Sequence, residues 1–251
     1  MRTLSILVVG CLLAPVSAAD RESRVYEMRT YYAAPGKLAD LHKRFRDHTC
    51  KLFEKHGITN VGYWVPIDNK DNKLIFVLSY PSREAREKAW KAFLADPDWQ
   101  KAFKESEAAG KLVLKMENIF LTPTDYSPPI KPGKDGDRVF ELRTYTASSG
   151  NLDALNTRFR EHTCKLFEKH GMTNVAYWNL MKDQKDADAR LIYLLAHKSV
   201  DAAKASFDAF RKDPDWVKAR TASEVKAGGP LTVKDGVKSE FLKPTGYSPM
   251  Q

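Results

Sequence analysis

A chain of 251 residues with 43% hydrophobic, 11% aromatic and 29% charged side chains has the balance of a packed globular protein. That balance excludes the low-hydrophobicity class that stays disordered, and the length leaves room for two domains. A formal net charge of +9 raises nucleic acid or an anionic membrane as partners, but acids and bases interleave in "DRESRVYEMR" and "REAREKAWK" and no like-charged block forms a binding tail, so a solvated mixed-charge surface without a nucleic-acid partner is expected.

The chain opens with "MRTLSILVVGCLLAPVSAAD", in which Arg2 precedes an apolar run from Leu4 to Val16 and the small residues Ser17, Ala18 and Ala19. This is the layout of a secretory signal peptide, so residues 1–19 are set apart from the fold and the protein is expected to be periplasmic or secreted. The run falls short of the roughly 20 apolar residues of a membrane span, and no later segment qualifies. A rival reading takes "VVGC", ending at Cys11, as a bacterial lipoprotein box. The apolar run continues through Leu12–Val16, however, and cleavage after Ala18 or Ala19 is carried forward. Cleavage removes the one charged side chain of the segment, Arg2, leaving +8 and two cysteines, Cys50 and Cys164.

Next, "VYEMRTYY" alternates and is rich in aromatic and branched residues, a strand pattern. "PGKLADLHKRFRDHTCKLFEKHG" opens on Pro-Gly and ends at Gly57, a helix with a glycine stop. "TNVGYWVP" and "KLIFVLSY" read as strands joined by "IDNKDN", whose Asp and Asn residues suit a turn. Ser82 can cap the helix "REAREKAWKAFLA". Asp96 and Pro97 then supply an N-cap and first-turn proline that restart a helix at "DPDW". "LVLKMENIFLTP" closes the unit as a strand.

The unit then repeats. Val25, Arg44 and Trp64 recur 114 positions later as Val139, Arg158 and Trp178; "DPDW" recurs at 117 and "YSP" at 121. A period above 100 residues marks a duplicated domain rather than a solenoid. The expected domains are residues 24–127 and 139–249, joined by the Pro- and Gly-rich linker 128–138. The order β-α-β-β-α-β is the ferredoxin-like arrangement. The expected class is therefore α+β, two such domains packed sheet to sheet, because apolar residues on both strand faces require a second cover.

"VYEMRTYYAAPGKLADLHKRF", "LFEKHGITNVGYW" and "DPDWQKA", with "VFELRTYTASSGNLDALNTRF" and "DPDWVKA" in the second copy, resemble the NIPSNAP domain of the dimeric α/β-barrel superfamily over nearly all of residues 24–249. The resemblance implies an internal α/β-barrel built by the tandem copies. It implies no reaction: family members have no settled one, and the adaptor roles of eukaryotic members do not transfer to a chain with an export signal. Superfamily relatives include cofactor-free monooxygenases and haem-binding enzymes, a prior by analogy.

Residues two apart on a strand share a face. Glu27, Arg29 and Tyr31, with Glu141, Arg143 and Tyr145, are thus expected to point at the partner sheet and line a central cavity, while Tyr26 and Met28 meet the helices. There they could hold an anion and move a proton, or form a structural ion pair, the reading preferred. On the long helix Leu38, Leu41, Phe45 and Leu52 cluster within about 60°, placing His48 at the stripe edge and Cys50 about 150° away, facing out. His48 and His162 are therefore candidates for the cavity margin, as core-edge histidines or, through the superfamily analogy, haem ligands. His56 and His170 read as helix-end caps. Tyr63, Trp64, Tyr177 and Trp178 are candidate walls for an apolar ligand. No metal site is expected, since His48 and Cys50 diverge by about 200°, and no disulfide joins Cys50 to Cys164 in this arrangement. The expected function is a small-ligand-binding or protein-interaction module, with a cofactor-free or haem-assisted oxidoreductase acting in the cavity as the alternative.

Overall fold

The computed structural model of the protein describes residues 24–133 and 136–251. The expected signal peptide, residues 1–19, and Cys11 within it lie outside the described residues.

In the first copy β1 (Val25–Ala33) leads into helix α1, made of α-helical Leu38–Arg44, a π-helical turn Phe45–Thr49 and α-helical Cys50–Lys55. Strands β2 (Thr59–Pro66) and β3 (Lys73–Tyr80), helices α2 (Arg83–Ala95) and α3 (Pro97–Ser106), and strand β4 (Val113–Pro123) follow. The second copy repeats this as β5 (Val139–Ala147), α4 (Leu152–Arg158, π-helical Phe159–Thr163, Cys164–Lys169), β6 (Thr173–Leu180), β7 (Arg190–His197), α5 (Val200–Lys212), α6 (Pro214–Ala227) and β8 (Thr232–Pro244). The expected caps form: Ser82 accepts from the Ala85 N–H at 3.1 Å and Asp96 from the Asp98 N–H at 2.8 Å, each satisfying a donor the first helical turn leaves unpaired.

The strands close into one antiparallel barrel in the order β1-β3-β2-β8-β5-β7-β6-β4. Each four-stranded sheet keeps its helices outside, and the halves join at two short seams, Trp64–Pro66 on Pro244–Leu242 and Leu121–Pro123 on Leu180–Trp178. The α+β class with two β-α-β-β-α-β units in an internal α/β-barrel therefore stands. The ends of the copies are exchanged. Tyr126, which follows β4, packs in the helix–sheet core of the second copy, and Tyr247, which follows β8, in that of the first. Ser127 and Ser248 accept the backbone N–H of Tyr177 and Tyr63 at 2.9 and 3.0 Å. The repeated "YSP" is thus a clasp. The connection between copies also packs: Ile130 lies against the barrel interior, and Gly133 forms an isolated parallel bridge with Met250.

The strand faces are reversed from expectation. Tyr26 and Met28 point into the barrel with Trp64, Val77, Phe140, Trp178, Ile192 and Leu194, while Tyr31 joins the core beneath the helices. Both faces offer apolar residues, but the polar partners of Glu27 and Glu141 lie on the helix side: Arg29, Tyr80 and Arg86 in the first copy, Arg143, His197 and Ser239 in the second. A charge turned inward would meet nothing but hydrocarbon and the opposing sheet, so the set without charges goes inside. The interior is filled. A void of about 10 Å³ remains, lined by Met28, Trp64, Ile75, Val77, Leu142, Trp178, Leu194 and Leu242, which is at the lower limit for one water.

The long helix departs from the ideal projection for a local reason. Leu41, Phe45, Thr49 and Phe53 are all buried at steps of four, a spacing that drifts about 40° per step on a regular helix. The π turn underwinds the backbone and holds them in line: the Cys50 N–H bonds to Phe45 O, five residues back, and the Thr49 hydroxyl donates to Arg44 O at 3.1 Å. The same turn recurs in α4, where Thr163 donates to Arg158 O at 3.1 Å. This rotation carries His48 and His162 into solvent and brings Cys50 and Cys164 against the cores, the opposite of the expected placement for both pairs.

Candidate functional site

Position 27 on β1 faces α2, and its carboxylate is the centre of a polar cluster sealed between sheet and helix. Glu27 is fully buried. It accepts from Arg29 Nη1 at 2.6 Å, from Arg86 Nη2 and Nε at 2.9 and 3.1 Å and from the Tyr80 hydroxyl at 3.0 Å. Trp90 donates to the Tyr80 oxygen at 2.8 Å and lies under the Arg29 guanidinium at 4.4 Å. Burial pushes the Glu27 carboxyl up, but the Arg86 hydrogen bond and the Arg29 and Arg86 charges outweigh it and hold the group below its ordinary value.

The second copy keeps the Glu-Arg pair and changes its company. Glu141 accepts from Arg143 at 2.5 Å, from the Ser239 hydroxyl and meets His197 Nε2 at 3.0 Å. Burial raises its carboxyl, and the His197 bond with the Arg143 charge and the Ser239 bond bring it below the ordinary value. At equal positions His197 replaces Tyr80, Ala203 replaces Arg86, Phe207 replaces Trp90 and Ser239 replaces Asn118. The Ser239 hydroxyl is spent on the carboxylate. Nucleophile activation needs a serine bonded to its base, which this grouping does not provide.

Of the predicted cavity residues, only Trp64 and Trp178 line the barrel interior. Both indole N–H groups are buried without a hydrogen-bond partner. Tyr63 and Tyr177 lie on the helix side, each donating to the asparagine three residues earlier, Asn60 and Asn174. Glu27, Arg29, Tyr31 and Glu141, Arg143, Tyr145 form the two helix-side clusters, with Arg143 Nη2 donating to the Tyr145 hydroxyl at 3.3 Å. His48 and His162 join neither. Sequence reasoning missed Tyr80, Arg86, Trp90, His197 and Ser239. The signal lay in the internal alignment, where the 117-residue phase sets "IFVLSY" on "IYLLAH" and puts His197 opposite a glutamate-bearing strand.

The remaining chemistry is quiet. His56 and His170 bond the N-cap aspartates of α3 and α6, Asp96 and Asp213, each at 2.7 Å, so they tie helices together. Both cysteines are free thiols, and burial pushes each up to about 11, which disfavours the nucleophilic thiolate. Among the described residues no cluster of three His, Cys, Asp or Glu could hold a metal, and no helix is long and apolar enough to cross a membrane.

A closed eight-stranded barrel made by two β-α-β-β-α-β units, with helices outside, defines an α/β-barrel of the kind usually assembled by two chains. Solved structures carry the same fold: an anthrone oxidase-like protein superposes with a TM-score of 0.56 at 12% identity, covering 92% of this chain and 96% of its own. A monooxygenase candidate from Lactobacillus acidophilus gives 0.55 at 10% identity over 89% and 94%. At such identities the likeness is one of fold alone. The NIPSNAP family model matches residues 26–128 and again 140–249, and the chain belongs to the NIPSNAP family. NipSnap homolog 3A of Homo sapiens is 25% identical over 230 residues, 90% of this chain and 85% of the relative; homolog 3B of Mus musculus is 24% identical over 241 residues, 95% and 91%.

Proposed function

We propose that this NIPSNAP protein is exported and acts through its surface as a protein-interaction module, with no ligand or substrate held in the barrel. One observation carries the reading: the interior void is about 10 Å³ and wholly lined by apolar side chains, whereas pockets that hold organic ligands span roughly 300–1,000 Å³. The buried charges point the same way. Glu27 and Glu141 spend their oxygens on neighbouring side chains, so the first cluster fastens α2 to the sheet through Arg86 and the second ties β5 to β7 and β8.

The oxidoreductase alternative draws on the fold neighbours described by monooxygenase or oxidase names, and it needs space for a substrate that this barrel lacks. Haem fits no better. His48 and His162 are solvent-exposed, and an axial histidine needs an apolar slot for the porphyrin beside it.

Native mass spectrometry of the protein isolated from its own host tests the reading. The expected species carry the mass of the bare chain or its multiples; a small molecule bound to most copies would overturn it. The same spectra test export: a mature chain beginning at Ala19 or Asp20 is expected, and retention of Met1 contradicts it.

A further inference from the structure

We infer that the first half of β4 is a self-recognition edge, on which two copies of this chain pair antiparallel about a two-fold axis through Met116. This rests on the interaction reading above and names its surface and partner.

Strand β4 is bonded to β1 along its length, but on its other side it meets β6 only at Leu121–Pro123. The stretch before that seam is an open edge. At Phe120 the carbonyl accepts from the Met181 N–H and the N–H donates to Gln184, both away from β1. Antiparallel strands alternate the direction of their backbone groups residue by residue, so Asn118 and Met116 also turn their N–H and C=O outward. Leu114, at 65% exposure, and Met116, at 60%, flank this row as uncovered apolar side chains. An open strand edge is a template for another strand unless the sequence blunts it.

The charges select the partner. Lys115 and Glu117 sit on one face and pair with each other at 2.6 Å. When a second copy aligns antiparallel with Met116 opposite Met116, Lys115 falls opposite Glu117 of the second copy and Glu117 opposite its Lys115. The Met116 residues exchange both backbone hydrogen bonds, and four charges alternate in sign around them. The lysine that would protect the edge is thereby matched. The contact is isologous, so it closes at two copies and does not grow into a fibre.

The second repeat blocks the same edge. In β8 the equivalent of Leu114 is Asp235, whose φ of 58° breaks the extended backbone; the register shift beside it, between Tyr145 and Ala147, is shared with the first copy, where it lies between Tyr32 and Ala33. Glu117 becomes Lys238 and Lys115 becomes Gly236, which leaves no complementary charge pattern. Of two edges with one ancestry, both shift register at this point, but only the β4 edge carries a self-complementary charge pattern.

Light scattering coupled to size exclusion, on the mature full chain, reads the result. Wild type is expected at twice the mass of one chain. Lys115→Glu sets acid against acid and is expected as a monomer, Glu117→Lys likewise, and the double exchange Lys115→Glu with Glu117→Lys restores the dimer. Met116→Pro removes only an outward N–H and is expected as a folded monomer by circular dichroism; Val237→Pro on β8 leaves the dimer intact. A monomeric wild type, or a dimer that survives Lys115→Glu, overturns the pairing. Either result leaves a bare barrel by native mass spectrometry untouched, so the two readings fail separately.

Discussion

Replacing Glu27 with Ala removes the buried counter-charge of two guanidinium groups at once and leaves Arg86 only its exposed partner Glu87. Their side chains, Arg29 at 11% and Arg86 at 15% exposure, would then face each other across the vacated space with little water to screen them. Halving a buried ion pair costs about 3–5 kcal/mol, against a total stability of roughly 5–15 kcal/mol for a typical protein. At a urea slope of about 2 kcal/mol/M, the tryptophan-fluorescence midpoint should fall by about 1.5–2.5 M. Glu141→Ala should fall less, because it strands only one guanidinium, that of Arg143. The pH series follows from the shift. The Glu27 carboxyl is held below its ordinary 4.5, so its contribution is full above that value and is lost as the pH falls through the lower, folded one. The gap between wild type and Glu27→Ala should be widest at neutral pH and narrow progressively below about pH 4. A loss under about 1 kcal/mol, as for an exposed pair, or a gap that widens in acid, would refute the account of this cluster.

Thr49→Val and Thr163→Val each delete the hydroxyl that satisfies a carbonyl of the π turn, and thermal unfolding should register about 1 kcal/mol apiece; unchanged stability would mean the widened turn needs no such bond. Cys50 and Cys164, with thiols pushed up to about 11, should take iodoacetamide slowly at pH 8 and completely in urea, followed by mass; rapid labelling of the folded protein would contradict their packing. Added haemin should give no sharp Soret band, and a band abolished by His48→Ala would reverse the reading of that helix.

The alternation of "VYEMRTYY", the glycine stop at Gly57 and the Ser82 and Asp96 caps are local signals, and the duplication is plain at fixed offsets. Together they specify the elements and the barrel. The inside of the barrel was not legible, because strands apolar on both faces give no sign of which face turns inward; the partners that hold Glu27 and Glu141 on the helix side, Arg86 on α2 and His197 and Ser239 on β7 and β8, are distant in sequence. The histidine and cysteine placements were obscured by a different cause. A projection at 100° per residue assumes a regular helix, and the π turn at Phe45–Thr49 adds enough rotation to exchange the environments of His48 and Cys50. Phe53, buried at 1% and four residues beyond Thr49, was the clue that the stripe runs in steps of four.

The most direct test of a solid barrel is a crystal of the protein pressurised with xenon, an atom that occupies dry apolar cavities and ignores filled cores. No xenon peak is expected among Met28, Trp64, Leu142 and Trp178. An ordered xenon atom at that position would show interior space for an apolar guest and would contradict the account.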